Sequence, residues 1–417
     1  MIIKRRSATL ILWFLILFCL SGFALLAFRK GEPDPNAVYL CAGLVALILV
    51  QYNVLKGVFK HLERFTLLIA DFLCVLSLIM LYRLNPDVAV KQYLWIVAGN
   101  VCMIIAMLVI RKIYNFGRAN WLFMGAGIAL LGAALIFART VGGAKNWIGI
   151  GTFSFQPSEF SKILFIIVSA YFLSTRNSKL RELWVYVVYT AASVGILVLS
   201  NDLGGALLVC GTFLVLFFVG TGNGWLTLGG AGAFGLGAFA SYYLFSHVQV
   251  RVDVWKDPWS LYNNEGYQIV QGLMAIASGG VLGSGLGLGM PQVIPANHTD
   301  YIFAAVSEEF GMAVGIMLII FYLVFIVRGI LIALHARNMF DALLVFGCTA
   351  MLSLQSFIII GGVIKLIPLT GITLPFLSYG GSSVVSAFIQ LGIIEGVAIK
   401  NGEHDEAKIA EMGGEVL

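Results

Sequence analysis

Apolar stretches of membrane-spanning length recur along almost the whole chain, separated by short polar breaks. A helix needs roughly 20 apolar residues to cross a hydrocarbon core about 30 Å thick. On that basis the pattern predicts twelve spans, at about 8–28, 37–55, 65–82, 92–110, 120–138, 160–175, 183–200, 203–221, 224–246, 301–327, 342–364 and 376–399. The expected fold class is an all-α polytopic integral membrane protein with about 12 transmembrane helices. Two connecting segments, 139–159 and 247–300, are too long to be turns and too rich in Trp, Phe, Ile and Gly to be disordered, so they read as functional loops. Within the second, Ile269, Val270, Leu273, Met274 and Ala277 share one helical face, which predicts an amphipathic or re-entrant helix.

Composition agrees with this reading. The 417 residues are 60% hydrophobic and 11% charged, whereas a soluble domain carries about 25% charged residues. The net charge of +5 arises from Lys and Arg gathered on one face and does not point to nucleic acid. If the N-terminus lies inside, the short inner loops hold sixteen of the 26 basic residues, in clusters such as Lys56, Lys60 and Arg64. The positive-inside rule then predicts that both termini are cytoplasmic and that the long segments 139–159 and 247–300 face outward; Arg29 and Lys30 dissent. The first span, which follows Lys4-Arg5-Arg6, has no convincing cleavage site after it and is read as retained. The six cysteines lie singly in apolar runs and suggest neither a disulfide nor a metal site. No internal repeat is legible, which weakens an inverted-repeat transporter.

The candidate chemistry falls on the predicted outer face. Lys145 and Trp147 lie in Gly142–Gly151, and Phe155-Gln156-Pro157-Ser158-Glu159 opens the sixth span. Glu159 and Lys162 are three residues apart, hence on one helical face, at a depth where ionisable groups are costly; the simpler alternative is an anchoring salt bridge. Asp202 in Asn201-Asp202-Leu203-Gly204 reads equally as a helix cap. Arg251 stands in a basic, tryptophan-rich stretch and has the chemistry to grip phosphate oxygens or to anchor at the interface. Gln271 lies on the predicted amphipathic helix, before a glycine-rich run. His298 and Asp300 begin the predicted tenth span, where apolar surroundings would raise a carboxyl pKa toward that of a base near neutral pH; a cap is the simpler alternative. Glu308 and Glu309 lie further along the same apolar run, where two carboxylates have no inexpensive explanation. Ser378 and Ser382 lie in Leu366–Ser383, where two prolines and a Gly-Gly-Ser-Ser run break the apolar sequence, as lining of a cavity or as a plain re-entrant connector.

Taken in order, these segments resemble the SEDS family, the shape, elongation, division and sporulation proteins of bacterial cell-wall synthesis. The resemblance covers about Leu67 to Gly396 and rests on Gly-Ala-Lys-Asn-Trp, Phe-Gln-Pro-Ser-Glu-x-x-Lys, Asp-Leu-Gly, Gly-Tyr-Gln-x-x-Gln, His-Thr-Asp-Tyr-Ile-Phe-Ala and Leu-Pro-Phe-Leu-Ser-Tyr-Gly-Gly-Ser-Ser. It implies a peptidoglycan glycosyltransferase that polymerises lipid II at the outer face of the bacterial cytoplasmic membrane. It also implies a class B penicillin-binding protein as partner, within the elongation or division machinery. Asp300 matches the family's essential aspartate, and Glu159 and Lys162 match its Glu and Lys. The implied mechanism has Asp300 take the acceptor hydroxyl's proton while Lys145, Lys162 and Arg251 balance the leaving pyrophosphate. A divalent cation would share that task, although no metal-ligand cluster is legible.

The chain departs from the family pattern in places. Asn146 replaces a second basic residue, Gly205 replaces a Thr, and Gly361-Gly362 with Lys365 stand where an Asn is common, which leans toward the elongation-type branch. The expected organisation is a two-helix extension at 1–60, a SEDS core at 61–400 and a cytoplasmic tail at 401–417. Two other functions compete: a flippase that moves lipid II without chemistry, and a scaffold that would tolerate loss of Asp300, Glu159 and Lys162.

Overall fold

A computed structural model of the chain describes residues 5–29, 31–112, 119–141, 144–150, 153–174 and 180–414. Each of the twelve predicted span positions carries a helix. They are α1 (Arg5–Ala27), α2 (Pro35–Val58), α3 (Arg64–Leu84), α4 (Pro86–Lys112), α5 (Asn120–Phe137), α6 (Pro157–Ser174), α7 (Leu180–Leu199), α8 (Leu203–Thr221), α9 (Gly224–Leu244), α13 (Met312–Leu334), α14 (Met339–Val363) and α15 (Gly381–Gly414). Ten of them are long and apolar enough to cross a membrane, α7 is a shorter apolar helix, and α9 passes the test jointly with α10 (Ser246–Lys256), to which it is bent by 99°.

The bundle closes by small-residue contacts. α4 and α15 lie so close that a Cβ on Gly392 would stand 2.4 Å from Met103 O, and one on Gly99 would stand 2.5 Å from the Phe388 ring. Between apolar helices in lipid, such close approach supplies van der Waals packing that no hydrophobic driving force replaces. At one face, ion pairs join helix ends: Arg111–Glu403 at 2.6 Å, Lys400–Asp341 at 2.7 Å and Arg328–Glu63 at 3.7 Å. The start of α1 and the end of α15 lie at this face. The long segments lie at the other.

The structure corrects the sequence reading in three places. The predicted tenth span does not begin at Tyr301: Gly311, at φ +86°, breaks it into the short α12 (Ile302–Phe310) and the spanning α13. Asp300 therefore precedes a nine-residue helix and not a transmembrane one. Segment 139–159, read as a functional loop of an all-α protein, carries among its described residues a three-stranded antiparallel sheet of β1 (Arg139–Val141), β2 (Ala144–Ile150) and β3 (Phe153–Phe155). The amphipathic helix exists as α11 (Tyr267–Gly279), but rotated: Ile269, Val270, Gly272 and Ala275 are buried, whereas Met274 and Ala277 are exposed. The reason is Gly272, whose missing side chain admits the Tyr301 ring; a Cβ there would stand 2.3 Å from it.

Candidate functional site at one membrane face

Five segments meet at the face opposite the ion-paired ends. α6 contributes the buried Glu159 and Lys162, bonded Nζ to Oε1 at 2.9 Å. Pro157 starts this helix, whose first turn is pinned to α15: Gln156 N–H donates to Ser382 Oγ at 3.0 Å, and Ser386 Oγ–H donates to Glu159 O at 3.1 Å. Lys162 also reaches Gln355 Oε1 on α14 at 3.4 Å. Gln355 donates to Thr373 O at 2.9 Å, and Thr373 shares a 2.6 Å bond with Ser383. The buried pair is thus held by a polar network that also fixes the irregular stretch 364–380, as low-dielectric surroundings require.

Asp202 caps α8, its Oδ1 accepting from Gly205 N–H at 2.8 Å. Burial raises its carboxyl, while the Gly205 N–H and the Lys162 charge draw it back. The bend after α9 carries α10 over the site. From there Arg251 Nη1 donates to Thr370 O at 3.1 Å, and Trp255 Nε1 donates to Lys365 O at 3.1 Å. Arg251 interacts electrostatically with both Asp202 and Asp300.

Asp300 faces the same stretch. Its Oδ2 would lie 3.6 Å from a Cβ on Gly371. Burial pushes the carboxyl up to about 6, against the opposing pull of the Thr299 hydroxyl and the Arg251 charge. Its backbone is held by Ser378, whose Oγ donates to Thr299 O at 2.6 Å and accepts from Leu374 N–H at 2.9 Å. His298 O accepts from Tyr379 N–H at 2.8 Å, and burial lowers the imidazole pKa. Asp300, Arg251 and Thr370 are half-buried and Gly371 is exposed, so the cluster opens to one side there.

The predicted residues therefore divide. Glu159, Lys162, Asp202, Arg251 and Asp300 form one connected electrostatic cluster. Ser378 and Ser382 are buried and occupied with backbone groups. Glu308 Oε1 accepts from Met290 N–H at 2.8 Å, holding the glycine-rich loop. Gln271 donates to Tyr262 Oη at 3.1 Å at an exposed position. Trp147 is half-buried in β2, and the side chain of Lys145 lies outside the described residues. Thr370, Thr373 and Ser383 lie in the broken segment 366–383 but were not named as site residues, and Gln355 was missed, although a glutamine amid the apolar run of α14 is a legible signal.

The fold and the cluster define a multi-pass membrane protein with opposed charges assembled at one membrane face beside a bent helix. Comparison with known proteins gives the family. The pattern of the cell cycle proteins FtsW, RodA and SpoVE matches residues 55–403, and the chain belongs to this family. It is 31% identical to the peptidoglycan glycosyltransferase RodA of Mycobacterium tuberculosis strain H37Rv, over 99% of this chain and 96% of that protein. It is 34% identical to the stage V sporulation protein E of Bacillus subtilis, over 71% of this chain and 83% of that one. Among solved structures, a chain described under structural coordination of polymerization and crosslinking by a peptidoglycan synthase complex superposes with a TM-score of 0.70 at 26% identity, covering 82% of this chain and 98% of that one. The rod-shape-determining protein RodA of Thermus thermophilus superposes with a TM-score of 0.58 at 26% identity, over 81% of this chain and 96% of that one.

Proposed function

We propose that the chain, as a peptidoglycan glycosyltransferase, polymerises lipid II into glycan strands at the outer face of the bacterial cytoplasmic membrane, with Asp300 as general base. The observation that carries this reading is the carboxyl of Asp300, raised to about 6 and half-open, within electrostatic reach of Arg251. Above pH 6 this group is mostly ionised and competent to accept a proton, yet basic enough to do so with a useful driving force. The acceptor sugar hydroxyl gives its proton to Asp300 as its oxygen bonds to the donor's anomeric carbon. The bond from that carbon to the pyrophosphate oxygen breaks, and the lipid pyrophosphate departs with the bonding pair. Arg251 and Lys162 offset the charge that grows on it. Among the described residues no three His, Cys, Asp or Glu side chains are placed to hold a metal ion, so no step is assigned to a divalent cation.

Several features support the supply of a lipid-linked substrate. α9 has no buried residue and packs chiefly against α8 and α10, so most of its surface is left to face lipid beside the site. The face opposite the site carries Lys56, Arg64, Arg111 and Lys112 at helix ends, which supports cytoplasmic termini and an outward-facing site. The partner we propose is a class B penicillin-binding protein that cross-links the new strand, within the elongation machinery. Purified protein mixed with lipid II in detergent tests the reading. Chain growth there requires an enzyme, whereas a flippase would act only across a bilayer and leave lipid II unpolymerised.

A further inference from the structure

α1 and all but the last turn of α2 precede the matched region 55–403, yet the turn between them reaches the site face. Arg29 donates from Nη2 to Gly287 O at 2.9 Å, across 258 residues of chain. The turn is itself fixed: Asp34 accepts from Tyr82 Oη–H at 2.6 Å through Oδ2 and from Asn36 N–H at 3.0 Å through Oδ1. Next to Tyr82, Arg83 donates to Glu309 Oε1 at 3.0 Å and to Gly289 O at 3.1 Å. Gly287 N–H donates to Glu309 Oε2 at 3.0 Å. Gly287 is therefore gripped on its carbonyl by Arg29 at 2.9 Å and by Arg83 at 3.4 Å, and on its amide by Glu309.

The other bonds that hold the loop tie it to α12: Ser284 N–H and Gly285 N–H donate to Glu308 O and Glu309 O at 2.9 Å each, and Met290 N–H donates to Glu308 Oε1 at 2.8 Å. Leu282, Leu288 and Met290 are 85%, 79% and 67% exposed, so apolar burial contributes little there. Gly285 and Gly287 adopt φ of +101° and +86°, a backbone that turns freely unless it is bonded. Glu309 sits near the end of α12, and Asp300 lies just before that helix begins. A nine-residue helix is a rigid rod about 14 Å long, so displacement of one end displaces the other.

We infer that Arg29 is a positioning residue. The turn of the N-terminal hairpin holds the glycine-rich loop and, through Glu309 and α12, sets where the Asp300 carboxyl stands. The inference rests on the assignment of Asp300 to the chemistry. Its test uses full-length protein with Arg29→Ala or Arg29→Lys, read by amide hydrogen exchange and by lipid II polymerisation kinetics. Arg29 is exposed, so the fold survives its loss. Arg29→Ala should speed exchange at residues 284–290 while the bundle helices keep their protection. It should also lower kcat about tenfold, equivalent to ~1.4 kcal/mol, with KM for lipid II within about twofold. Arg29→Lys, which keeps a charged donor, should recover part of both. Unaltered exchange in the loop overturns the mechanical link. Faster exchange with unchanged kcat overturns its bearing on Asp300, and a loss confined to KM makes Arg29 a substrate contact instead. An active Asp300→Ala variant assayed in parallel would fail the chemical assignment alone, since the exchange measurement reads the link without it.

Discussion

The buried pair Glu159–Lys162 separates a structural account of the site from a functional one. Its side chains are 9% and 5% exposed and its charged atoms lie 2.9 Å apart. At an effective dielectric constant of about 20, two unit charges at that distance attract by ~6 kcal/mol, much of which repays the cost of leaving water. Lys162→Met removes the cation and leaves Glu159 buried opposite nothing, beside the carboxylate of Asp202. Loss of one partner of such a pair costs about 3–5 kcal/mol. Glu159→Gln with Lys162→Met removes both charges while keeping the volume, and should return stability to within about 1 kcal/mol of the native protein. Equilibrium unfolding in mixed micelles, followed by tryptophan fluorescence, measures the stabilities, and lipid II polymerisation measures the function. If the Lys162 charge offsets the leaving pyrophosphate, the double variant is stable and at least about 100-fold slower. A double variant with native stability and native rate would reduce the pair to an anchor with no part in the chemistry.

Other predictions follow from the same geometry. The pH–rate profile should fall on the acid side with an inflection near 6, because protonated Asp300 accepts nothing. Arg251 draws that carboxyl down, so Arg251→Gln should move the inflection upward, and an inflection unmoved or moved downward would contradict the contact. Gly272→Val forces a side chain into the Tyr301 ring and should destabilise by about 1–3 kcal/mol and slow polymerisation, with thermal unfolding as the check. Ser378→Ala leaves Leu374 N–H buried without its acceptor and should cost about 1–3 kcal/mol in the same unfolding assay.

Most of the bundle was legible because apolar length and basic loop ends report directly on the bilayer, whatever the helices touch. Glu159 and Lys162 were legible together for the same kind of reason, as residues one helical turn apart at a costly depth. The break at Gly311 was hidden because Phe310 and Met312 continue the apolar run on either side; only the positive φ at the glycine reveals it. The face of α11 was misjudged because burial there is decided by a partner ring, Tyr301, filling the space over Gly272, and no count of apolar positions contains that partner. Contacts such as Arg29 with Gly287 O, or Gln355 with Thr373, join segments distant in sequence through backbone carbonyls, which every residue possesses and which leave no trace in residue type.

The role proposed for Asp300, accepting the proton of the attacking hydroxyl, underlies the whole mechanism. It is tested most directly by purified wild-type protein and Asp300→Ala with lipid II in detergent at pH 7.5 or above, with glycan products resolved by length. The wild type should give long strands and Asp300→Ala no strand above background, with both proteins unfolding at similar temperatures. Strands of ordinary length and rate from a folded Asp300→Ala would contradict that role.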